Sequence, residues 1–286
     1  MKLVNVPCML CAKSALVPVL QKETYSIVKC TGCGLVFVNP RIKDVEGVYK
    51  ENAVHTQYYE HTTRCDEQEF AQRLRFIRRY CPSGRLLDIG CATGTFLKLA
   101  KGWDAHGIDV NAHSISVCKK AGLNVKLGFL KKNTYPKHFF DVIHMSDVIE
   151  HMENPLETLK LCATFLKPGG YIMITTPNFA SSWARKFQIK PTDHLYYFTA
   201  ATFRQTVREA GLVPLRCVPI NRLRDLKALE YSTSIEPGLL ARLFFGMVKL
   251  IPTRAFCVRL PFKDDLLLFA QKPRRAEALN NEHKGH

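Results

Sequence analysis

The chain has 286 residues, of which 47% are hydrophobic and 23% are charged. These values are close to those of an average globular domain, so they exclude a disordered chain, a collagen and a coiled coil as sensible interpretations. The formal net charge of +16 favours an anionic partner such as a nucleic acid, an acidic membrane face or a phosphorylated substrate. Because the basic residues are spread along the whole chain, a generally basic surface explains the charge equally well.

The cysteines and the apolar runs indicate the cellular compartment of the protein. Residues 1–7 lack the apolar core of a secretory signal. Most cysteines outside the N-terminal region, such as Cys91, Cys118 and Cys162, stand singly in apolar patterns that are typical of reduced, buried thiols. We therefore expect a cytoplasmic protein without a disulfide framework. No uninterrupted apolar run approaches the roughly 18 residues of a transmembrane span.

Residues 1–40 contain two cysteine pairs and are predicted to form a small zinc-ribbon-like module. The pairs are Cys8-x2-Cys11 and Cys30-x2-Cys33, the arrangement of a structural zinc site. Zn²⁺ is held by four thiolates in a tetrahedron, which leaves no open coordination position for catalysis. Unmetallated thiols are the alternative. The pattern does not say whether such a ribbon binds nucleic acid, binds protein or only supports the fold.

Residues 41–65 are predicted to be a linker or lid segment, and residues 66–80 a helix with apolar positions at helical spacing. Beyond Gly84, strand-like and helix-like runs alternate. The predicted strands are 85–89, 105–110, 124–127, 140–145, 171–175, 213–220 and 266–270. The predicted helices are 95–101, 112–121, 155–166 and 200–210. This alternation predicts an α/β domain over residues 66–271, with a parallel sheet covered by helices on both faces.

Two C-terminal segments differ from this pattern. Residues 221–263 are basic and apolar and are predicted to be an insertion before the last strand. Within them, residues 239–251 have the spacing of a basic amphipathic helix, which can rest on an anionic membrane or pack against the domain or a dimer partner. Residues 272–286 are polar and are predicted to be a disordered tail.

The stretch 86–96 is a strand followed by a turn of small residues and the start of a helix. Asp88, Gly90, Ala92 and Gly94 place backbone at the carboxyl end of the first strand, where ligands bind in such sheets. A dinucleotide fingerprint would need glycines at positions 92 and 95, so a nucleoside without phosphates fits better. Asp109 ends the second strand, where a carboxylate can bind both ribose hydroxyls or simply begin a helix.

These stretches resemble the class I S-adenosylmethionine (SAM) methyltransferases, in the branch of the ubiquinone-biosynthesis O-methyltransferase and of enzymes that methylate sugars and glycans. The matching stretches are 86–96, 107–110, 140–155 (FDVIHMSDVIEHMENP), 166–178 (LKPGGYIMITTPN) and 194–211. With the cysteine quartet, the chain is similar to zinc-bearing deoxysugar C-methyltransferases. The resemblance covers about half the chain. It implies a Rossmann-like, seven-stranded methyltransferase sheet with SAM as the cofactor.

The resemblance also implies roles for individual residues. Gly90, Ala92 and Gly94 would shape the cofactor pocket, while Asp88 would face the methionine amino group and Asp109 would hold the ribose. The family often has an acidic residue after the third strand for the adenine amino group, but this chain has none between Leu127 and Leu130. Phe129 and backbone amides are therefore expected to bind adenine. The further cofactor-binding candidate is Met145, near the end of the fourth strand.

Three residues are candidates for catalysis. His151 follows the fourth strand and is a plausible base, because an imidazole titrates near neutral pH; its alternative role is a histidine bound to backbone at a helix start. His194 and Tyr197 follow the fifth strand, where residues on the acceptor side lie in this fold. For these two, packing in a loop beneath a lid is the alternative.

The sequence therefore favours a SAM-dependent methyltransferase acting on a small molecule, a sugar or a lipid- or glycan-linked acceptor. One alternative is an RNA methyltransferase that holds its substrate with the zinc ribbon and the basic surface. Against it, the chain lacks the Asn/Asp-Pro-Pro-aromatic motif typical of enzymes that methylate base amines, and its charge is not concentrated on the ribbon. The other alternative is a non-catalytic SAM-binding or zinc scaffold protein.

Overall fold

A computed structural model describes residues 3–13, 15–22, 24–42, 64–225 and 257–274. The described N-terminal part consists of short strands. They are β1 (Leu3–Val4), β2 (Leu16–Lys22), β3 (Tyr25–Cys30), β4 (Val36–Val38) and β5 (Arg41–Ile42). We call residues 3–42 the cysteine module, since they carry Cys8, Cys11, Cys30 and Cys33.

The rest of the described chain alternates helices and strands. Its first half contains α1 (Arg64–Arg78), β6 (Gly84–Ile89), α2 (Thr95–Leu99), β7 (Trp103–Asp109), α3 (Ala112–Lys120), β8 (Asn124–Leu127), β9 (Phe140–Ser146) and a 3₁₀ turn (Ile149–His151). Its second half contains α4 (Pro155–Phe165), β10 (Leu166–Pro177), α5 (Ser182–Phe187), β11 (Tyr196–Tyr197), α6 (Ala200–Glu209), β12 (Val213–Ile220), β13 (Leu223–Asp225), β14 (Cys257–Arg259) and β15 (Asp265–Gln271).

The main sheet has seven strands in the order β12-β15-β10-β9-β6-β7-β8. Strands β8, β7, β6, β9 and β10 are parallel, whereas β15 is antiparallel to both β10 and β12. This arrangement confirms the predicted Rossmann-like methyltransferase sheet. Because β6 lies between β7 and β9 and the three strands are parallel, their carboxyl ends meet at one edge of the sheet.

Alternation along the buried strands gives the sheet a core on each face. Leu87 and Ile89 of β6 pack with Ile143 of β9 in one cluster, whereas Leu86 and Val142 belong to a second cluster. All five side chains are at most 3% exposed. The near-continuous apolar runs of the central strands follow from this burial on both faces.

Local signals fix where the helices begin. The Asn111 side chain accepts a hydrogen bond from Ser114 N at the start of α3, and Asn154 caps α4, which then begins with Pro155. Thr199 and Thr202 form a reciprocal capping box at the start of α6. The first two caps follow β7 and β9, so they position loops at the ligand edge of the main sheet, whereas the third follows β11, which belongs to another sheet.

The cysteine module shares a sheet and a core with the rest of the chain. Strand β11 pairs antiparallel with β4, giving a four-stranded sheet in the order β11-β4-β3-β2. Cys8, Val28 and Phe37 of the module lie in the same hydrophobic cluster as Phe198. A small cysteine-rich segment could bury little apolar surface alone, and here it buries that surface by packing against the α/β domain.

One disulfide links two distant segments, a bond that the sequence, from which no disulfide framework was expected, did not indicate. Cys65 at the start of α1 is bonded to Cys257 at the start of β14, with Cα atoms 5.5 Å apart. The sequence could not indicate the pair because the two cysteines are 192 positions apart and belong to no spacing motif. The other nine cysteines are free.

Other predicted segments differ in extent or lie outside the described residues. The helix expected at 66–80 is α1, and the strand expected at 266–270 is β15. Most of the linker or lid segment 41–65, including the span 43–63, lies outside the described residues, as do the amphipathic segment 239–251 and the tail from 275. Among the helices in the described ranges, none has the length and apolar character needed to cross a membrane.

Candidate functional site

A cavity of about 380 Å³ opens at the carboxyl ends of β6, β7 and β9. Its wall is formed by the loops that follow these strands, by the loop after β8 and by one side of α4. The lining residues used below are Gly90, Ala92, Asp109, Phe129, Ser146, Asp147, His151, Glu153 and Glu157. Four of the seven sequence-predicted cofactor residues therefore line one concave site, namely Gly90, Ala92, Asp109 and Phe129.

The turn after β6 needs a glycine at its first position. Gly90 has φ +74°, and a Cβ added there would lie 2.3 Å from Cγ2 of Val148. Its N–H donates to the carbonyl oxygen of Ile108 at 2.8 Å. The turn is thus held against β7 on one side and against the loop after β9 on the other, and its backbone faces the cavity.

Asp109 joins two loops of the cavity through its carboxylate. Oδ2 accepts the N–H of Ala92 at 2.8 Å, and Oδ1 accepts the N–H of Asn111 at 2.8 Å. Burial raises the pKa of Asp109, although the N–H groups of Asn111 and Ala92 partly offset this effect. Each carboxylate oxygen keeps a second acceptor direction for a ligand.

Asp88, which the resemblance places near the methionine amino group, is bonded to a buried histidine. Its Oδ1 lies 2.7 Å from Nδ1 of His144, both side chains are buried, and Asp88 is not among the cavity-lining residues. The His144 ring stacks on Phe96 with centroids 3.8 Å apart. Burial lowers the pKa of His144, while Asp88 opposes that shift. The hydrogen bond thus joins the end of β6, just before the turn at Gly90, to strand β9.

Of the remaining predicted cofactor residues, Phe129 lines the cavity, whereas Gly94 and Met145 do not. Phe129 lines the cavity beside Gly128, whose N–H donates to the Asp109 carbonyl at 2.8 Å. Gly94 begins α2, and an added Cβ would lie 2.4 Å from Leu123, so this glycine permits close packing. Met145 lies in the core with no exposed surface, whereas the next residue, Ser146, lines the cavity. Successive strand residues point to opposite faces, which accounts for the difference.

His151 lines the cavity, and its ring is held in place by Asp193. Its Nδ1 lies 2.9 Å from the carbonyl oxygen of Asp193 and 3.4 Å from that residue's Oδ1. Because a carbonyl oxygen only accepts, Nδ1 carries the proton and Nε2 is the basic nitrogen of the neutral ring. Burial alone would lower the pKa of His151, but Asp193 and the Glu150 carboxylate raise it above its usual value.

Neither His194, which contacts His151, nor Tyr197 is among the cavity-lining residues. The His194 ring meets the His151 ring edge-to-face with centroids 4.7 Å apart, and its Nδ1 lies 2.9 Å from the Gln188 carbonyl. Burial lowers the pKa of His194 to about 3. Tyr197 is 4% exposed and packs with Val36 and Val38 of the cysteine module. Their predicted role toward the acceptor therefore stays a prediction, while their contacts here are with backbone and core groups.

A buried charged cluster beside the cavity was missed from the sequence. Arg73 of α1 is 4% exposed and donates to Oγ of Ser146 at 2.7 Å. Asp147 pairs with Arg222 at 2.7 Å; burial opposes ionisation of its carboxyl, but Arg222 and Arg73 lower its pKa below the usual value. A signal existed for Arg73, which stands between Phe70 and Ile77 on the apolar face of the predicted helix.

Within the described part of the chain, two groups of side chains have the composition of metal sites. In the cysteine module, the sulfur atoms of Cys8, Cys11, Cys30 and Cys33 all lie within 4.8 Å of one another. Two of these pairs are 3.3 and 3.4 Å apart. Thiolates on one Zn²⁺ would be about 3.8 Å apart, so the four residues fit a zinc ion with small adjustments. Burial opposes ionisation of Cys30, but backbone N–H groups of Cys33 and Gly32 help to lower its pKa to about 7.

The second group consists of Glu150, His151 and His194, each with one ligand atom within 4.8 Å of the others. Glu150 is 1% exposed, and its Oε2 accepts from Oγ1 of Thr176 at 2.9 Å. Burial raises the pKa of Glu150 to about 7. Mixed carboxylate and imidazole ligands suit transition metals. The same groups can also hold or release a proton beside the cavity.

Comparison with known proteins identifies similar sequences and folds. A family model described as a methyltransferase domain matches residues 59–216. The ubiquinone biosynthesis O-methyltransferase of Thiobacillus denitrificans is 25% identical over 188 residues, which are 57% of this chain and 81% of that protein. The enzyme of the same name from Azoarcus sp. is 30% identical over 195 residues, covering 59% and 83%.

Solved structures show the same fold. A SAM-dependent methyltransferase from Archaeoglobus fulgidus superposes with a TM-score of 0.53 at 24% identity, covering 77% of this chain and 98% of that one. A SAM-dependent methyltransferase from Thermotoga maritima, described as a possible histamine N-methyltransferase, gives 0.54 at 16% identity, covering 80% and 99%.

The buried His194 predicts a pH dependence of stability. The unfolded chain binds a proton at His194 below about pH 6.5, whereas the folded chain does so only near pH 3. The free energy of unfolding should therefore fall as the pH drops through this range, by about 1–2 kcal/mol between pH 6.5 and pH 5 from this group. Denaturant unfolding of wild type and His194→Asn at both pH values measures it. The variant should lose that part of the dependence, and equal slopes would contradict the assignment.

Proposed function

Because this chain belongs to the methyltransferase-domain family and is a SAM-dependent methyltransferase, we propose that it methylates a small-molecule acceptor, a sugar or a lipid- or glycan-linked group. Curated relatives named ubiquinone biosynthesis O-methyltransferase support an acceptor of this size class. The observation that carries the proposal is the Asp109 carboxylate, fixed by two backbone N–H groups at the cavity edge.

The cavity suits the nucleoside part of SAM. Asp109 would accept hydrogen bonds from the ribose hydroxyls, with the backbone of Gly90 and Ala92 alongside. Phe129 offers an apolar face to adenine in place of the acidic residue that the family often has after the third strand. SAM supplies a positively charged sulfonium that carries the methyl group to be transferred.

The charge of the lining supports a cationic cofactor and a neutral acceptor. Asp109, Asp147, Glu153 and Glu157 line the cavity, and no lysine or arginine does so in the described part of the chain. This acidic lining is notable in a protein with a net charge of +16. Asp147 is paired with Arg222 and Glu157 with Lys160, but the described lining itself offers a phosphodiester no cationic side chain, which favours a small acceptor over RNA.

His151 is the proposed base. Its Nε2 can take the proton of an acceptor hydroxyl, amine or acidic carbon as the acceptor's electron pair forms a bond to the methyl carbon. The carbon–sulfur bond breaks at the same time, and its electrons stay on sulfur. Asp193 and Glu150 stabilise the imidazolium that results, since both raise the pKa of His151.

We also propose that the cysteine module holds one structural zinc ion through Cys8, Cys11, Cys30 and Cys33. These four cysteines are free thiols, as a metal requires, and a reducing compartment such as the cytoplasm would keep them so, although the Cys65–Cys257 disulfide would have to resist reduction there. All four ligand positions would be filled by sulfur, so the ion's contribution would be to the fold and not to the chemistry.

Metal analysis tests the zinc site. The purified protein should contain about one zinc per chain, measured by plasma mass spectrometry. Cys33→Ser should lose most of it, because three thiolates bind the ion more weakly than four. Cys162→Ser, at a buried free cysteine of α4, is the matched control and should keep it. Equal zinc in both variants, or none in the wild type, would refute the quartet.

Replacing Asp109 tests the cofactor position. Asp109→Asn should weaken binding of S-adenosylhomocysteine by about 2–3 kcal/mol, since it removes a charged acceptor from a buried site. Isothermal titration calorimetry measures the affinity. Asp104→Asn is the control, because Asp104 lies on the same strand but is exposed and pairs with Arg85. Unchanged affinity in Asp109→Asn would sink the ribose assignment.

Transfer of a labelled methyl group tests the acceptor class. The protein is incubated with methyl-labelled SAM and an extract of the source cells, and the products are separated into RNA, protein, lipid, and glycan or small molecules. Label in the lipid, glycan or small-molecule fraction is the expected result. RNase-sensitive label would support an RNA methyltransferase instead. Binding of SAM without transfer to any fraction would favour a non-catalytic scaffold.

A further inference from the structure

The segment that carries His194 is built into the sheet of the cysteine module. Tyr196 is paired with Phe37, and Tyr197 with Val36. Just before this ladder, the N–H of Val38 donates to the carbonyl oxygen of Leu195 at 2.9 Å. Main-chain hydrogen bonds of the module therefore fix the path of the chain immediately after His194.

The same segment holds the residues around His151. The N–H of Leu195 donates to the carbonyl oxygen of Glu150 at 2.9 Å, so Leu195 uses its N–H for the 3₁₀ turn and its carbonyl for the module. His151 in turn contacts the carbonyl oxygen of Asp193. One residue thus links strand β4 of the module to the backbone beside the proposed base.

Arg41 forms a second link, which reaches the cavity wall. Its Nη1 donates to the Tyr196 hydroxyl at 2.9 Å, and its Nη2 donates to the carbonyl oxygen of Glu153 at 2.9 Å. The Tyr196 hydroxyl donates to the same carbonyl at 3.2 Å, which closes a triangle of hydrogen bonds. Arg41 is 6% exposed, and Glu153 lines the cavity.

This triangle of hydrogen bonds joins three separate parts of the chain. Arg41 is in the module, Tyr196 is in the segment after His194, and Glu153 is in the loop after His151. A guanidinium has donors in a rigid planar fork, so it fixes two acceptors relative to each other, which a single-point donor does not do. Desolvating a guanidinium also costs free energy, and these hydrogen bonds offset it.

We propose that Arg41 is a positioning residue for methyl transfer. Through its two hydrogen bonds, this residue of the cysteine module fixes the positions of the loops that carry His151 and His194 and of Glu153 in the cavity wall. The proposal rests on the proposed function, since it assigns the module a part in the acceptor side of that site. The cofactor side, at Gly90 and Asp109, is built from other strands. The module should therefore control acceptor alignment more than cofactor binding.

Three variants of the full-length protein test this proposal. Arg41→Met removes both hydrogen bonds of the guanidinium but keeps much of the side-chain volume. Tyr196→Phe removes the hydroxyl that accepts from Arg41 and donates to Glu153, while its ring still packs near Phe37. Arg41→Lys keeps the charge and can reach one of the two oxygens. Arg204→Met is the matched control, because it breaks an arginine–carbonyl contact, to Cys217, away from the cavity.

Three readouts are measured on each protein. Hydrogen–deuterium exchange by mass spectrometry follows peptides that cover residues 149–154 and 193–197. Calorimetry gives the affinity for S-adenosylhomocysteine. Labelled-methyl transfer into the acceptor fraction gives activity. We expect exchange of both peptides to rise about tenfold and transfer to fall about tenfold in Arg41→Met, with a smaller change in the same direction in Tyr196→Phe.

The affinity for S-adenosylhomocysteine should change by less than about twofold in Arg41→Met and Tyr196→Phe, and Arg41→Lys should recover part of the transfer. Unchanged exchange in both peptides would overturn the proposal, as would a loss of cofactor affinity parallel to the loss of transfer. If Arg41→Met does not fold, Tyr196→Phe decides by the same criteria. If the wild type transfers no label, the proposed function fails, while the exchange data still test the role of Arg41.

Discussion

The site depends on the carboxylate of Asp109, which accepts one backbone N–H from the turn after β6 and another from the start of α3. These two loops follow adjacent parallel strands, and the N–H groups of Ala92 and Asn111 both need an acceptor. The carboxylate satisfies both groups, which joins the two loops, and it keeps further lone pairs for a ligand in the cavity. Gly90 completes the arrangement, because any side chain there would overlap Val148.

Burial then divides the histidines beside the cavity into different roles. His151 is in contact with Asp193 and near Glu150, which raise its pKa, whereas burial holds His194 neutral with a pKa of about 3. Two similar residues 4.7 Å apart therefore have opposite preferences for a proton. One can accept a proton and the other is a neutral support, and the cysteine module holds the backbone that carries them.

The fold could be predicted from the sequence because its signals are local. Alternating strands and helices, small residues after the first strand and an acid at the end of the second are all read within a few residues. The cysteine quartet was visible for the same reason. Side-chain positions were harder to predict. Met145 lies in the core while the next residue, Ser146, lines the cavity, because successive strand residues point to opposite faces, and Asp88 is bonded to His144, a partner 56 positions away.

Contacts between distant parts of the chain could not be predicted. Nothing near Tyr196 indicates that it pairs with Phe37, and nothing near Cys65 points to Cys257. Arg41 lies at the boundary between the predicted module and the predicted linker, where no motif marks it. Its role follows only from the tertiary fold, which brings the module against the loops that carry His151 and His194.

A crystal structure of the protein with S-adenosylhomocysteine bound tests the central claim most directly. The account predicts ribose hydroxyls on the Asp109 carboxylate, the adenine beside Phe129 and the sulfur atom directed toward His151. The thioether is the part of the ligand that marks where the methyl group would be. A ligand bound elsewhere, or one whose sulfur is turned away from His151, would contradict the account of this site.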